Sequence, residues 1–259
     1  MLASVEMTTL HSNSFDFCSS GLYNSFMCKI TNNKDFAVES AVLKDAVAFE
    51  GGVMLFDDER GAAVRINDWH KCVFKDVRDF YEYADKYGLY GHVCLMGAPE
   101  TATKTLNFSA DPCKTYAYFN PMPPELNAPD GVEFKRLATT LAGTVLERYH
   151  NPGGGYTVEK MSVVMREKGV FGAISGGALA GFIGRHSDGS MGMLEVFEGF
   201  WHRGIGSALE RFLINYVMTF GRVPYCDVFT DNAVSMNLQR GLGLTESSGY
   251  TFWGEIKPK

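Results

Sequence analysis

The sequence predicts an α/β (α+β) protein in which a smaller α/β domain precedes a domain with a mixed, mostly antiparallel sheet flanked by helices. Strand-like and helix-like patterns alternate along the 259 residues, which favours layered helices and sheets over an all-α or all-β fold. The segment 120–130 contains four prolines, and proline cannot donate a hydrogen bond to a sheet. We therefore expect an N-terminal domain at 1–120, a linker at 121–130 and a second domain at 131–259.

The composition is that of a globular protein with an acidic N-terminal part. The formal net charge is −6, and residues 1–130 hold 11 of the 24 Lys and Arg but 18 of the 30 Asp and Glu. A chain with this net negative charge is not expected to bind nucleic acid or an anionic membrane surface. No apolar run is long enough to span a membrane, and Met1–His11 lacks the basic start of a signal peptide. We expect a cytoplasmic protein with no nucleic-acid or membrane partner.

The six cysteines form no C-x-x-C pair, and none lies near a histidine at metal-ligand spacing. A chain of this size and apolar content does not need disulfides to hold its core together. We therefore expect reduced, mostly buried thiols and no metal site.

The N-terminal domain has few clear patterns and no chemical motif. Alternation on both sides of 57–61 predicts a hairpin of strands at 53–56 and 63–66. A helix is predicted at 76–87, because Gly88 suits the residue that follows a helix. Further strands are predicted at 90–96 and 115–119.

The second domain is clearer. Its predicted strands are 132–136, 170–175, 178–185, 190–197, 225–230 and 250–256, and its predicted helices are 139–149, 158–168, 206–220 and 232–242. The helix at 206–220 carries apolar residues at spacings of three and one, which is the stripe of an amphipathic helix. Asn232 is the expected cap of the last helix, and Gly243 follows its end.

A glycine-rich turn opens the helix at 206–220. Glycine lets a ligand approach the backbone closely, and the first N–H groups of a helix have no acceptor within it. Such a turn suits a phosphate or pyrophosphate. It is neither a Walker loop, since no Gly-Lys-Ser/Thr follows, nor a G-x-G-x-x-G motif, since Leu209 takes the place of the third glycine. The residues of the turn are Arg203, Gly204, Ile205, Gly206 and Ser207.

Two segments resemble the acyl-CoA motifs of the GNAT superfamily of N-acetyltransferases. Gly204 and Gly206 match the family's Gln/Arg-x-x-Gly-x-Gly/Ala loop, with Trp201 in place of Gln/Arg, and Val196–Phe200 is similar to its Val-x-Pro-x-Tyr. Asn232–Leu244 resembles its Asn-x-x-Ser/Ala-x-x-Leu-Tyr-x-Lys-Leu-Gly-Phe. The arrangement of a further domain before such a catalytic domain is similar to that of the glycine N-acyltransferase-like branch of the superfamily.

The resemblance implies an enzyme that transfers an acetyl or short acyl group from acyl-CoA directly to an amine. Acetyl-CoA is then a co-substrate, and the amine acceptor and the oligomeric state stay open. The backbones of Val196 and Phe197 would bind the pantetheine arm, and Asn232 and Ser235 would lie near its thiol end. The pyrophosphate would contact His202, Arg203, Gly204, Ile205, Gly206 and Ser207.

A protonated amine needs a base before it can attack, and the thioester carbonyl needs an N–H donor. The candidate bases are Asp227, Glu195 and Glu198, of which Glu198 better fits a residue of the loop surface. The N–H of Phe197 is the candidate donor. The family often has Tyr, an acid for the leaving thiolate, where this chain has Gln239; Tyr250, Tyr225, Ser235 or water remain as substitutes. The alternatives to an enzyme are a degenerate GNAT-like domain that binds CoA as a sensor or interaction module, and a nucleotide-binding module.

Overall fold

The computed structural model describes residues 30–150 and 155–258. The helices are α1 (Ala37–Phe49), α2 (Phe80–Tyr87), α3 (Ala102–Leu106), α4 (Ala142–Arg148), α5 (Val158–Glu167), α6 (Ile205–Met218) and α7 (Ala233–Gly241). The strands are β1 (Val53–Asp57), β2 (Gly61–Ile66), β3 (Trp69–Phe74), β4 (Gly91–Ala98), β5 (Pro112–Ala117), β6 (Val132–Arg136), β7 (Val170–Ser175), β8 (Ala178–Arg185), β9 (Met191–Val196), β10 (Tyr225–Phe229), β11 (Thr245–Glu246) and β12 (Tyr250–Ile256). The expected fold class is confirmed, and most predicted elements agree with the observed ones to within a few residues.

In the N-terminal half, helix α1 is followed by an antiparallel meander of β1, β2 and β3, after which α2 leads to β4, parallel to β3. The predicted hairpin is confirmed, and Gly88 ends α2 with a φ of 72°. The sequence pattern does not reveal α1, because its buried residues include Glu39 and Asp45, which interrupt the apolar stripe. It does not reveal β3 either, whose buried residues include Lys71.

The C-terminal half contains a separate four-stranded antiparallel sheet in the order β6-β7-β8-β9. One face of this sheet packs on α4 and α5, with Val145 and Met161 in the shared core. The other face packs on α6 through a core that includes Leu209 and Leu213. Helices therefore cover both faces of the sheet on which the predicted loop is built.

The larger sheet is formed by both parts of the chain. Its order is β1-β2-β3-β4-β12-β5-β10, with β11 paired to β5. The segment 121–130 contains no helix or strand, but β10, β11 and β12, which follow it, lie beside strands that precede it. The two-domain boundary stays a prediction of the sequence, and any division there has to cross this shared sheet.

The two halves repeat one order of elements. The first runs helix, three-stranded meander, helix, strand, helix, strand, as α1, β1–β3, α2, β4, α3 and β5. The second runs through the same order as α5, β7–β9, α6, β10, α7 and β11. Because β5 pairs with β10 while β12 pairs with β4, each half receives a neighbouring strand from the other.

Buried ion pairs join α1 to the C-terminal half. Arg222 lies after α6 and donates to Asp45 from Nε at 3.0 Å and from Nη2 at 2.5 Å. Its Nη2 is also 2.6 Å from Glu50 Oε1. Glu50 pairs in turn with Lys168. Breaking one such pair leaves a buried charge without its partner, which costs about 3–5 kcal/mol, so these contacts fix how the halves meet.

Cys72, Cys94, Cys113 and Cys226 are free and buried, in agreement with the expectation of reduced thiols for these four. Cys18, Cys28 and the segment Met1–His11 lie outside the described residues. Within residues 30–150 and 155–258, no helix has the length and apolarity to cross a bilayer.

Candidate functional site

A seam between the two sheets lies beside the predicted loop. Strand β9 ends the four-stranded sheet, and β10 ends the eight-stranded one. The two strands are close neighbours, but no ladder joins them in the part of the chain that the structure describes. Edge strands carry unpaired N–H and C=O groups, to which an extended ligand can bind as an added strand.

The backbone of β9 turns the groups of Val196 toward this seam. The pairing of β9 with β8 shifts by one residue, and Met193, beside the shift, has a φ of 56°. Beyond it, the N–H of Phe197 donates to the Ala180 carbonyl at 2.9 Å. Because successive peptide groups of a strand point to opposite sides, the N–H and C=O of Val196 face away from β8.

This geometry moves one predicted role to a different residue. The N–H of Phe197 is predicted to bind the thioester carbonyl, but it donates to the carbonyl of Ala180 within the sheet. A donor used in a ladder is not available to a ligand without breaking the ladder. The seam-facing N–H at this position is that of Val196.

The indole of Trp201 contacts the same stretch of β9. Its Nε1 donates to the Val196 carbonyl oxygen at 2.5 Å, although the side chain is 53% exposed. Trp201 is the residue that replaces Gln/Arg in the family pattern. One of the two Val196 groups expected to bind pantetheine is therefore already bonded to a side chain of the protein.

The start of α6 meets the requirements of an anion site. Gly204 precedes the helix with a φ of 76°, no side chain caps this end, and its first turn contains no acidic residue. The first N–H groups, from Ile205 to Ser207, have no acceptor within the helix. A Cβ on Gly206 would lie 3.5 Å from the Val196 side chain, so the turn packs directly on β9.

The other two loop residues are exposed. His202 has a φ of 60°, which turns the chain just before Gly204. The Arg203 guanidinium lies 5.4 Å from the centre of the Phe200 ring. Its charge is thus close to the helix start and accessible to solvent.

Asp227 lies in β10, on the face turned away from α6. Its neighbours Cys226 and Val228 belong to the core under α6, and alternation directs Asp227 to the opposite face. It accepts from Thr115 Oγ1 at 2.5 Å and from Trp253 Nε1 at 3.1 Å. Burial raises the pKa of its carboxyl, against the lowering effect of Lys71 and of these two donors. A raised carboxylate pKa suits a general base.

Glu195 lies on the corresponding face of β9. It accepts from the backbone N–H of His150 at 2.9 Å, and its other oxygen is 3.0 Å from His150 Nδ1. Its side chain is 17% exposed, so it is neither buried nor freely solvated. Next to it, burial and the Glu195 carboxylate raise the pKa of Tyr149 to about 12. The two candidate bases share a face but have different partners.

The start of α7 matches the sequence analysis in its backbone role. Asn232 Oδ1 accepts from the N–H of Ser235 at 3.0 Å, which is the predicted helix cap. Asn232 is exposed and Ser235 partly buried.

Gln239, where the family often has Tyr, is the buried residue of α7. Its amide donates to the Glu210 side chain of α6, and its Oε1 has no partner among the described residues. Burial raises the pKa of Glu210 to about 7. Of the candidate substitutes for the missing Tyr, Tyr225 donates its hydroxyl hydrogen to the Asp188 carbonyl at 2.8 Å.

Sequence reasoning missed the partners that hold the candidate bases. Thr115 and Trp253 come from strands far from Asp227 in the chain, and His150 is 45 residues from Glu195. No spacing motif links such positions. Within the described ranges, no three His, Cys, Asp or Glu side chains are grouped as metal ligands.

Comparison with known proteins agrees with this geometry. Residues 135–244 match the model of the acetyltransferase (GNAT) family. That stretch includes both strands of the seam, β9 and β10, together with the loop before α6 and the cap of α7. Over these residues the chain is similar to the GNAT acetyltransferases. No curated protein sequence matches the chain significantly.

Several solved structures share the fold over most of the chain. A Drosophila protein is 16% identical with a TM-score of 0.57, covering 81% of this chain and 75% of its own. A conserved protein of unknown function from Staphylococcus epidermidis is 16% identical with a TM-score of 0.52, covering 82% and 98%. A GCN5-related N-acetyltransferase from Kribbella flavida is 12% identical with a TM-score of 0.52, covering 88% and 97%. At these identities the likeness concerns the fold alone.

Proposed function

We propose that the protein is an acyl-CoA-dependent N-acyltransferase that transfers an acetyl or short acyl group to an amine. The observation that carries the proposal is the seam between β9 and β10, which lies beside the uncapped start of α6. One end of an acyl-CoA is a pyrophosphate and the other an extended amide-containing arm. A helix start and an open strand edge suit these two parts.

In this proposal the substrate is held mainly by backbone groups. The N–H groups of 205–207 and the Arg203 side chain bind the pyrophosphate, with His202 beside them. The N–H of Val196 binds the thioester carbonyl as negative charge develops on its oxygen. The Val196 carbonyl accepts from a pantetheine amide once the Trp201 indole has moved aside. Asn232 and Ser235 lie near the thiol end.

Asp227 is the proposed base. It takes a proton from the acceptor ammonium, directly or through water, and the neutral nitrogen attacks the thioester carbon. The new C–N bond forms and the C–S bond breaks. The nitrogen gives up its second proton, which passes through water to the departing CoA thiolate, so that a neutral amide and a free thiol result. Glu195 is the second candidate for the base, since it shares the face of Asp227 and is partly exposed.

We further propose that residues 1–120 shape the acceptor side. Thr115, in β5, contacts Asp227, and Trp69, in β3, packs against Trp253 with ring centres 5.0 Å apart. Deleting 1–120 would strip β10 of its paired neighbour, so a point change is the better test. Trp69→Ala is expected to change selectivity over an amine panel while acetyl-CoA affinity stays constant. Unchanged selectivity in this variant and in Thr115→Val would contradict the proposal.

A second candidate function is CoA binding without turnover. Two observations favour it: the Trp201 indole occupies the Val196 carbonyl, and Gln239, buried against Glu210, cannot act as an acid. A sensor or interaction module of this kind would bind acyl-CoA but release no thiol with any amine.

Calorimetric titration with acetyl-CoA, and with ATP as the comparison ligand, tests the proposal first. Gly206→Phe is expected to weaken acetyl-CoA binding at least tenfold, because the side chain would cover the start of α6. Gly143→Phe is the matched control, since Gly143 is also the second residue of its helix and has open space around it.

The outcomes separate the candidates. Binding of acetyl-CoA followed by thiol release with an amine supports the acyltransferase. Binding without release across a broad panel supports the sensor. Tighter binding of ATP than of acetyl-CoA favours a nucleotide module, and binding of neither overturns all of these functions.

A further inference from the structure

A buried lysine of the N-terminal half lies close to the proposed base. Lys71, in β3, is 1% exposed, and its Nζ is 2.6 Å from Asp188 Oδ2, in the loop between β8 and β9. Tyr225 completes the group, since its hydroxyl is 3.3 Å from Lys71 Nζ and donates to the Asp188 carbonyl. A buried ion pair is costly to form, and neither the fold nor the mechanism above requires a charge at this position.

The contacts of Lys71 lead to Asp227 through one side chain. Lys71 Nζ lies 5.3 Å from the centre of the Trp253 ring, and Trp253 Nε1 donates to Asp227 Oδ2 at 3.1 Å. The indole thus has a cation over its ring and a carboxylate at its N–H. A cation on the face of a ring fixes the orientation of that ring.

We propose that Lys71 is a positioning residue for the proposed base: its ammonium, held by Asp188, orients the Trp253 indole and stabilises the charged form of the Asp227 carboxyl. The inference rests on the proposed function, in which Asp227 takes the proton of the amine. It also gives the N-terminal half a definite role in the chemistry, because β3 supplies the charge.

The other groups around Asp227 do not supply that charge. Thr115 donates to it as a neutral hydroxyl. Burial raises the pKa of the Cys94 and Cys113 thiols, which keeps both neutral. Asp188 is the other charged group among the described residues that acts on the Asp227 carboxyl, and its effect opposes that of Lys71.

The signs of the expected effects follow from these charges. Without Lys71, Asp227 loses a nearby cation and faces an unbalanced Asp188, so its charged form is less stable and its pKa rises. Without the Asp188 charge, Asp227 faces Lys71 alone and its pKa falls. A loss of packing alone would not move the pKa in opposite directions in these two variants.

The experiment follows the Asp227 carboxyl directly, in full-length protein containing ¹³C-labelled aspartate. Asp227→Asn identifies its NMR signal, whose pH midpoint is then measured without any ligand. In Lys71→Met the midpoint is expected to rise, and in Asp188→Asn to fall, each by about one pH unit. Lys71→Arg is expected to stay near the parent value.

Unchanged midpoints in Lys71→Met and Asp188→Asn, or shifts in the same direction in both, would overturn the proposal. If Lys71→Met does not fold, Asp188→Asn and Lys71→Arg decide the question by the same measurement. Because no acyl-CoA or amine is present, failure here is distinct from failure of the proposed function, which appears as absent acetyl-CoA binding or thiol release.

Discussion

The two halves of the molecule share an order of elements but differ at one pair of strands. In the N-terminal half, β3 and β4 form a parallel ladder, in which Trp69 pairs with His92 at one end and Val73 with Met96 at the other. In the C-terminal half, the corresponding strands β9 and β10 belong to two different sheets. Two strands joined by a ladder leave no unpaired backbone N–H or C=O groups between them for a ligand, whereas the edges of β9 and β10 that face the seam do.

The helices that follow these meanders differ in the same sense. Helix α2 begins next to Asp76 and Asp79 and has Glu82 in its first turn. Helix α6 begins after Arg203 and Gly204 and has no acidic residue in its first turn. Acidic groups stabilise a helix start but repel a phosphate from it. Among the described residues, the C-terminal half therefore offers a pyrophosphate a helix start without acidic neighbours. In the proposed function, the N-terminal half supplies side chains and charge to the same site.

The largest expected effect comes from replacing the proposed base, Asp227, in the seam strand β10. Asp227→Asn is expected to lower turnover by roughly 10²–10⁴-fold, the usual contribution of a general base. Acetyl-CoA affinity should not change, because Asp227 is not among the groups proposed to bind CoA. Thiol release and calorimetry measure the two quantities. Asp231→Asn, at an exposed neighbouring position, is the control. A folded Asp227→Asn variant with full turnover would leave Glu195 as the candidate base.

The next effect concerns Glu210, a buried glutamate of α6 in the C-terminal half. The pKa of Glu210 is raised by burial to about 7, so the folded protein holds a proton that the unfolded chain has lost. Stability therefore falls as the pH rises from about 4.5 to about 7, by on the order of 3 kcal/mol, and changes no further above that range. Glu210→Gln should remove this part of the dependence.

Urea unfolding on both sides of that range measures the effect. The comparison between Glu210→Gln and its parent is what counts, since other groups titrate as well. Glu167→Gln changes an exposed glutamate and should leave the pH dependence as it is. An identical slope in Glu210→Gln and the parent would mean that Glu210 is charged in the folded protein at neutral pH.

Local chemistry explains which parts of the site were predictable. The turn at 203–207 and the cap at Asn232 are visible in the sequence because a helix start needs particular residues at fixed offsets. Lys71 and Asp188 are 117 residues apart in the chain, and only the tertiary fold brings them together. No local pattern encodes such a contact. The strand exchange itself is invisible for the same reason, since β5 and β12 look like ordinary strands wherever they pair.

Making the start of α6 resemble that of α2 tests the comparison directly. Ser207→Asp places an acid in the first turn, as Glu82 does in α2, and should weaken acetyl-CoA binding about tenfold through repulsion of the pyrophosphate. Ser207→Asn is the matched neutral control. Calorimetry at low and high salt measures both, and the difference between the two variants should shrink at high salt. Equal affinities for the two variants at low salt would place the pyrophosphate elsewhere.

The smallest expected effect concerns the hydrogen bond between the Trp201 indole and the backbone of β9. Trp201 donates to the Val196 carbonyl, and a ligand that binds there as a strand must first break this hydrogen bond, at a net cost of about 1 kcal/mol. Trp201→Phe keeps an aromatic ring but removes the donor. It is therefore expected to bind acetyl-CoA about fivefold more tightly than the parent. In the parent, the emission of Trp201 should change on binding, as judged against Trp201→Phe, which retains Trp69 and Trp253. Weaker binding in Trp201→Phe would mean that the indole contacts the ligand instead of occupying its place. Trp201 would then serve in binding at the position where the family pattern has Gln/Arg.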